Sequence, residues 1–556
     1  MKWYKKSKPY VMIGPALLLI IILVGYGLVM AFLESIQYNH SPSLQVYQQL
    51  LQQKSFVDSF LYSFRTSLIS TLLSVIIGLV LVRITYPLLK RSFPKLMAWL
   101  PMLFPHFVWG YMLFLLFSQT GFLSSLLNVI EIIKEPADFP ILFKESLGVG
   151  IILTYIWKEV PFVILMLLPV YEQLSQTGRE LVYTLGGRDW AVFRHVEWPY
   201  VFPVLLETFF IIFAFVFSAY EVPALMGATY PKMVSVLSYD WFFSSDWTKQ
   251  SYAFAAMMVT TVTIVAFVWI AFAVTKKNRL HLNQTYGDGI RNIEPVRFSK
   301  IIFLCITLVT IVPSLLVILT SFVRRWKFGH LWPDCLCIRA WHILLNYEPQ
   351  LWEAVYTSIG ISLLVLLINL LIGLPAAKGL AFYVFKGKTT METILLSPIL
   401  IPTLAVSMGI HLTFIRLGLA NQLAGVVIVH LLPTLPYTIK ILRAGFERIG
   451  KKQEEQAVSL GASPFHVFYS IYLPQLMPSI RSTVFLVTVI SLGQYLLTAF
   501  IGGGSVITLA ILYFPFFQSA DDAIIASFSV LFALIPVVIW IVFEVFLRVI
   551  ILYRTR

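Results

Sequence analysis

Apolar runs of about 20 residues recur along the chain between short polar stretches, and that is the length a helix needs to cross the hydrocarbon core of a bilayer. Twelve such runs lie near 10–33, 61–84, 96–117, 147–171, 201–225, 252–275, 300–322, 356–378, 392–415, 423–445, 478–500 and 524–550. The pattern predicts an all-α polytopic membrane protein of about twelve transmembrane helices. The first run follows Met1-Lys-Trp-Tyr-Lys-Lys-Ser-Lys8, a start like that of a secretory signal. It is too long for one and is followed by no Ala-x-Ala site, so it reads as a retained first span.

Composition agrees with the pattern. Of 556 residues 58% are hydrophobic, 15% aromatic and only 12% charged, with mean hydropathy +0.83; soluble chains carry about 25% charged residues. A disordered chain, a collagen-like chain and an ordinary cytosolic enzyme are excluded. Three cysteines are too few for a disulfide scaffold, and Cys335-Leu-Cys337 has no histidines at zinc spacing, so no metal site is expected.

The net charge of +14 would suit a nucleic-acid binder, so its distribution decides. With a cytosolic N-terminus, the inside segments 1–9, 83–95, 172–200, 276–300, 378–391, 440–477 and 548–556 hold 28 of the 41 Lys and Arg. The cations follow the positive-inside rule. The expected partner is therefore the lipid bilayer, with both termini cytosolic, and no nucleic acid. Arg324, Arg325, Lys327 and Arg339 are the exception, falling outside.

The two halves repeat. Ser63 and Gly78 match Ser358 and Gly373 at an offset of 295; Pro101, Pro105 and Gly121 match Pro398, Pro402 and Gly418 at 297. Pro161, Glu180, Gly186, Pro199 and Pro203 match Pro436, Glu455, Gly461, Pro474 and Pro478 at 275, so the first half carries about 22 extra residues around Asn128–Ser146. Six spans per half is an even number, which gives a parallel repeat of 1–284 and 285–556 with a pathway expected between the halves. Residues 276–300 read as the cytosolic linker.

Between the fourth and fifth spans of each half lies a polar arm, at 172–199 and 446–474. The second contains Glu455-Gln-Ala-Val-Ser-Leu-Gly461-Ala-Ser-Pro464-Phe-His-Val-Phe-Tyr-Ser-Ile-Tyr-Leu-Pro474. Gly461 suits the left-handed position that closes a helix, Ser463-Pro464 opens another, and Pro474 is expected to stop it near Leu473. The first arm repeats the design with Glu180, Gly186, Asp189 as the expected cap, and Pro199. Short helices bearing Trp190 and Phe193, or Phe465, Phe468 and Tyr469, are expected to be exposed and to need a partner groove.

Glu455, Ala457, Gly461, Ile471, Leu473 and Pro474 resemble the "EAA" loop of the type I, MetI-like permeases of binding-protein-dependent ABC importers. Gln456 departs from it, and the first arm is looser, with Leu181, Val182, Val196 and Trp198 at variant positions. Two halves in one chain are similar to the fused permeases of the ferric-iron, thiamine and phosphonate group. The resemblance implies a non-catalytic subunit of a bacterial cytoplasmic membrane. It implies two partners, an ATP-binding-cassette ATPase homodimer that holds ATP and magnesium, and an extracytoplasmic solute-binding protein. No cofactor is implied on this chain. Glu180, Gly186, Asp189, Trp190, Phe193, Pro199, Glu455, Ala457, Gly461, Pro464, Phe465, Phe468 and Pro474 would couple to the ATPase. Ferric iron, thiamine, a phosphonate and a polyamine all fit as cargo.

No catalytic constellation stands against this. Gly445-Phe-Glu-Arg-Ile-Gly450-Lys451-Lys452 resembles a Walker A loop but has Lys452 where Ser or Thr must hold magnesium, and it follows a membrane helix. Ionisable groups inside spans are few: Lys158, Glu159, Glu207, Glu221, His411, His430 and Glu544. Each costs at least ~2.5 kcal/mol to bury in lipid. Lys158 and Glu159 are adjacent, point about 100° apart, and should not pair with each other. In the resembling permeases the fifth span of each half lines the pathway, so Tyr220, Glu221, Gln494 and Tyr495 are pathway candidates; Lys158, Glu159 and Glu207 join them as ionisable groups inside spans, against plain hydrogen bonding between spans. A twelve-span secondary transporter driven by an ion gradient would share the spans and the parallel halves, but it gives no reason for two glycine-hinged arms.

Overall fold

A computed structural model of the chain describes residues 2–37, 42–89, 91–174, 176–275, 297–517 and 521–554. The described residues are helical with one isolated antiparallel bridge, Val323 to Leu336. Among the described residues eleven helices are long and apolar enough to cross a membrane, twelve spans if one bent pair is counted as a single span. The linker expected at 276–300 lies outside the described residues over 276–296.

Two expected straight spans are broken. In the ninth, Lys388–Leu400 and Thr403–Arg416 meet at 93°. The third is likewise split into Ser92–Trp99, a tight turn at Leu100–Leu103, and His106–Phe117. The cause is the repeated proline pair: Phe104 and Ile401, each just before a proline, are forced into extended backbone and end the helix there.

The fifth and eleventh spans also end early. The expected run 201–225 is a helix Trp198–Ser218, a break at Ala219 and Tyr220, and a short helix Glu221–Met226. Leu473–Leu492, a break at Gly493 and Gln494, and Tyr495–Gly502 repeat this in the second half.

The chain packs as two compact units, 1–46 with 244–258 and 342–556, and 47–243 with 259–341. Packing thus follows a different line from the sequence repeat, because the first span of each half belongs to the other unit. In one unit the first span lies against the second repeat: a Cβ added at Gly409 would sit 1.8 Å from the Gly27 carbonyl, and Tyr26 bonds Thr413 at 2.9 Å. In the other the seventh span, Arg297–Ser321, packs on the first repeat, where Ser299 donates to the Ile84 carbonyl at 3.0 Å. Small residues let these backbones approach.

Inside each unit the same contacts recur. A Cβ at Gly78 would meet Val163 at 2.6 Å, and one at Gly373 would meet Thr438 at 2.8 Å. The Ser63 hydroxyl accepts from the Val234 amide at 2.7 Å, as that of Ser358 does from Leu509 at 2.9 Å. The buried hydroxyls of Ser63 and Ser358 thus each take a backbone partner, which offsets the cost of burying them in a lipid-embedded fold.

Candidate functional site

The two arms have one design. A helix, Gln176–Thr184 in the first and Lys452–Ser459 in the second, closes at Gly186 (φ +79°) and Gly461 (φ +87°). The amide of the following residue reaches back five positions, Gly187 to Val182 at 2.9 Å and Ala462 to Ala457 at 3.0 Å. This is the helix stop that glycine permits in the left-handed region. Ser463 then caps the next helix, its hydroxyl accepting from the His466 amide at 3.3 Å. Asp189, expected as the cap, is instead the first helical residue: it stands at the place of Pro464, and its carboxylate accepts from the Tyr183 hydroxyl at 2.6 Å.

The second arm helix does not stop at its proline. From Asp189 the backbone runs on through one wide π turn, Phe193–Glu197, into the fifth span; Phe468–Tyr472 does the same before the eleventh. The widened turn just before Pro199 and Pro474 takes up the missing amide and the ring's bulk, so each helix is re-aimed without ending. Arm and span are therefore one element.

Leu185 and Trp190 are 78% and 71% exposed, and Leu460 and Phe465, at the equivalent positions, 89% and 77%. Tyr469 is exposed too. Phe193 and Phe468, expected on that surface, are half-buried; Phe193 packs under Arg83, whose guanidinium lies 5.0 Å from its ring centre. Leu185 and Leu460 escaped the sequence reading because only the hinge turns them outward.

Glu180 and Glu455 are exposed, and Glu455 pairs with Lys451 at 3.2 Å. The residue before each is the one turned inward. Arg179 meets the buried Glu197 at 3.1 Å; Glu197 also meets Arg83 at 2.9 Å and accepts from Tyr171 at 3.3 Å. In the second repeat Glu454 meets Lys378 at 3.0 Å and accepts from Tyr472 at 2.7 Å. Burial alone would raise the Glu454 carboxyl, but the hydrogen bonds from Tyr472 and Lys378 hold it below its usual value. At the repeat offsets Arg83 corresponds to Lys378, Arg179 to Glu454 and Glu197 to Tyr472. Each arm is thus locked to the second span of its repeat by the same three positions with the charges redistributed.

Four of the five pathway candidates on the fifth and eleventh spans, Tyr220, Glu221, Gln494 and Tyr495, sit at the helix breaks. Tyr220 packs on Tyr239 with ring centres 4.6 Å apart, and Tyr495 on Phe514 at 3.9 Å, the same pair in each repeat. Glu221 opens the short helix after the first break, and Gln494 precedes the second. Glu207 is not brought to them: it is half-buried on Trp198–Ser218, about 20 Å back along the helix.

Lys158 and Glu159 do not pair with each other. The Lys158 ammonium donates to the Pro101 carbonyl at 2.8 Å and to that of Phe104, holding the broken third span in place. Glu159 meets His106 at 3.0 Å, and His106 lies against Phe215 with ring centres 4.7 Å apart. His106 escaped the sequence reading because it follows Pro105 at the mouth of a helix, where a histidine looks like a terminus. In the other unit the place of Tyr155 is taken by His430, buried between the Ser491 and Thr498 hydroxyls at 3.0 Å each. Glu544 pairs with Arg481 at 2.8 Å. His430 and Glu544 therefore join spans.

The geometry defines a helical membrane protein with duplicated, hinged arms, each continuous with a membrane span. The comparisons with known proteins place it. Residues 91–279 and 355–552 match the family of binding-protein-dependent transport system inner membrane components, and the chain belongs to that family as a fused, two-half permease. It is 22% identical to the inner membrane ABC transporter permease protein YnjC of Escherichia coli K12 over 438 residues, covering 78% of this chain and 77% of that one. It is 23% identical to the thiamine transport system permease protein ThiP of Salmonella typhimurium over 389 residues, 68% and 69% of the two chains. Over 136 residues it is 34% identical to the molybdate/tungstate permease WtpB of Pyrococcus abyssi, 24% of this chain and 54% of that one.

Proposed function

We propose that this chain forms the membrane pathway of an ATP-driven importer of a bacterial cytoplasmic membrane. Its two arms would dock on a separate ATP-binding-cassette homodimer, which holds the ATP and magnesium, and a solute-binding protein would deliver cargo to the opposite face. Both termini lie on the arm side, and 1–284 and 285–556 are the units of duplication. One observation carries the reading: both arms present Leu then an aromatic, Leu185/Trp190 and Leu460/Phe465, across a left-handed glycine. Such a surface in water calls for a protein groove.

Within each arm the glycine hinge, the aromatic residues and the charge lock transmit motion to the fifth or eleventh span through the continuous helix. Tyr220, Glu221, Gln494 and Tyr495 then act as pathway elements at the breaks, with Glu159 nearby in the first repeat. Ferric iron, thiamine, a phosphonate and a polyamine are the cargo classes in play. Two carboxylates, Glu159 and Glu221, stand where the other repeat has Thr434 and Leu496, and they favour a positively charged cargo such as thiamine or a polyamine.

Proteoliposomes holding the permease and ATPase, loaded with ATP and given charged binding protein outside, test this. Uptake that needs ATP and survives collapse of ion gradients is expected; uptake that follows an ion gradient without ATP would replace this reading with a secondary carrier.

A further inference from the structure

Four cations on the face opposite the arms broke the positive-inside pattern, and three of them share one loop. The seventh span shows exposed apolar residues along one helix face, Ile301, Leu304, Leu308, Leu315 and Ile318, at steps of three, four and seven residues, with half-buried Ile311 and Val312 between Leu308 and Leu315. Phe322 is the last member of this stripe. Beyond it the chain folds back: the Cys337 amide donates to the Phe322 carbonyl at 2.6 Å and Leu336 bridges Val323. This return sets Leu336 and Ile338, both largely exposed, beside the end of the stripe, and Trp332 is exposed at the loop's tip.

The loop's other side is held. The Trp326 ring packs on Phe122 with centres 6.4 Å apart, the Gly329 amide donates to Ser125 at 3.4 Å, and a Cβ at Gly329 would meet Asn128 at 2.7 Å. Asp334, the loop's acid, is taken by Lys327 at 2.9 Å and by His330 at 3.4 Å. Arg324 and Arg325 are exposed, and among the described residues neither has a carboxylate partner. The corresponding connection of the first half, 36–53, contains no Lys or Arg.

We infer that the loop 322–338 is an anionic-phospholipid site at the outer headgroup layer, with Trp332, Leu336 and Ile338 seated at the acyl boundary and Arg324 and Arg325 on lipid phosphates. An apolar surface continuous with a lipid-facing stripe meets lipid, and aromatic residues mark that depth. Arginine forks fit phosphate oxygens. The positive-inside exception follows: these cations serve a headgroup and do not report topology. The inference rests on the membrane reading alone and is independent of the ATPase.

The test uses the full chain with a nitroxide on Cys335, an exposed free cysteine, after Cys305→Ser and Cys337→Ser. In vesicles of phosphatidylcholine with one part in three phosphatidylglycerol, the label should be reached by oxygen more than by a water-soluble nickel chelate. Arg324→Gln with Arg325→Gln should reverse that order and lower phosphatidylglycerol retention about five-fold per arginine. In a separate variant that keeps Cys305 and carries Cys335→Ser and Cys337→Ser, a label on Cys305, on the span itself, should stay in lipid throughout and so report intact insertion. A Cys335 label that faces water in these vesicles overturns the proposal. So does one that is shielded only when solute-binding protein is added, which would make the loop a protein-docking surface.

Discussion

Glu197 and Tyr472 occupy the same position of the two repeats, yet the carboxylate that Glu197 supplies to the first arm lock comes in the second from Glu454, which accepts from the Tyr472 hydroxyl at 2.7 Å. The lock is defined by three places in space, and either repeat fills them with one carboxylate and at least one cation. Removing the carboxylate from the first leaves Arg83 and Arg179 facing each other. Glu197→Gln should cost roughly 3 kcal/mol of stability, read by thermal unfolding of the purified permease. Arg179→Glu combined with Glu197→Tyr, which transplants the second arrangement, should recover most of that loss, while Arg179→Glu alone should not.

The hinge glycines differ from the packing glycines in what a methyl group would meet. Nothing lies within 4 Å of a Cβ at Gly461, so Gly461→Ala carries only the left-handed backbone cost of about 1 kcal/mol. Gly409→Ala would drive into the Gly27 carbonyl and should cost several times more. Thermal melts of the two variants side by side decide this, with Gly461→Ala melting close to the parent.

The exposed arm residues should matter to a partner and not to folding. Trp190→Ala and Phe465→Ala remove side chains that are mostly in water, so melting should hold within the range of surface changes, about 0.5 kcal/mol. Affinity for the ATPase should fall about 30-fold for each, as for an interface hot spot worth roughly 2 kcal/mol. Equilibrium binding to purified ATPase measures it.

Because Glu454 has its carboxyl held below the usual value, the second lock contributes stability that is fully present above the unfolded pKa and is lost as pH falls through the lowered folded one. Amide exchange over 452–459, corrected for intrinsic rates, should be flat from pH 7 to about 5 and rise below about 4. In Glu454→Gln the exchange should be fast at every pH.

The spans, the duplication and the hinges were readable because they rest on local chemistry: apolar length, repeated prolines, a glycine before Ser463-Pro464. The prolines were also the source of error. Pro105 and Pro402 break spans that hydropathy averages into straight helices, while Pro199 and Pro474 fail to end helices because a π turn precedes them. The locks were hidden because Arg83 and Glu197 meet only after 114 residues of chain have folded. The exchange of the first spans was hidden because small residues such as Gly27 and Gly409 carry no mark of their partner.

The most direct test of the central claim is co-purification of the ATP-binding subunit from the same genome by a tag on this chain, with the stoichiometry counted. Two ATPase copies per permease, reduced to one by Trp190→Ala or by Phe465→Ala and to none by both, is the result the account predicts. An ATPase that never accompanies the permease, or one retained in full by the double variant, would contradict it.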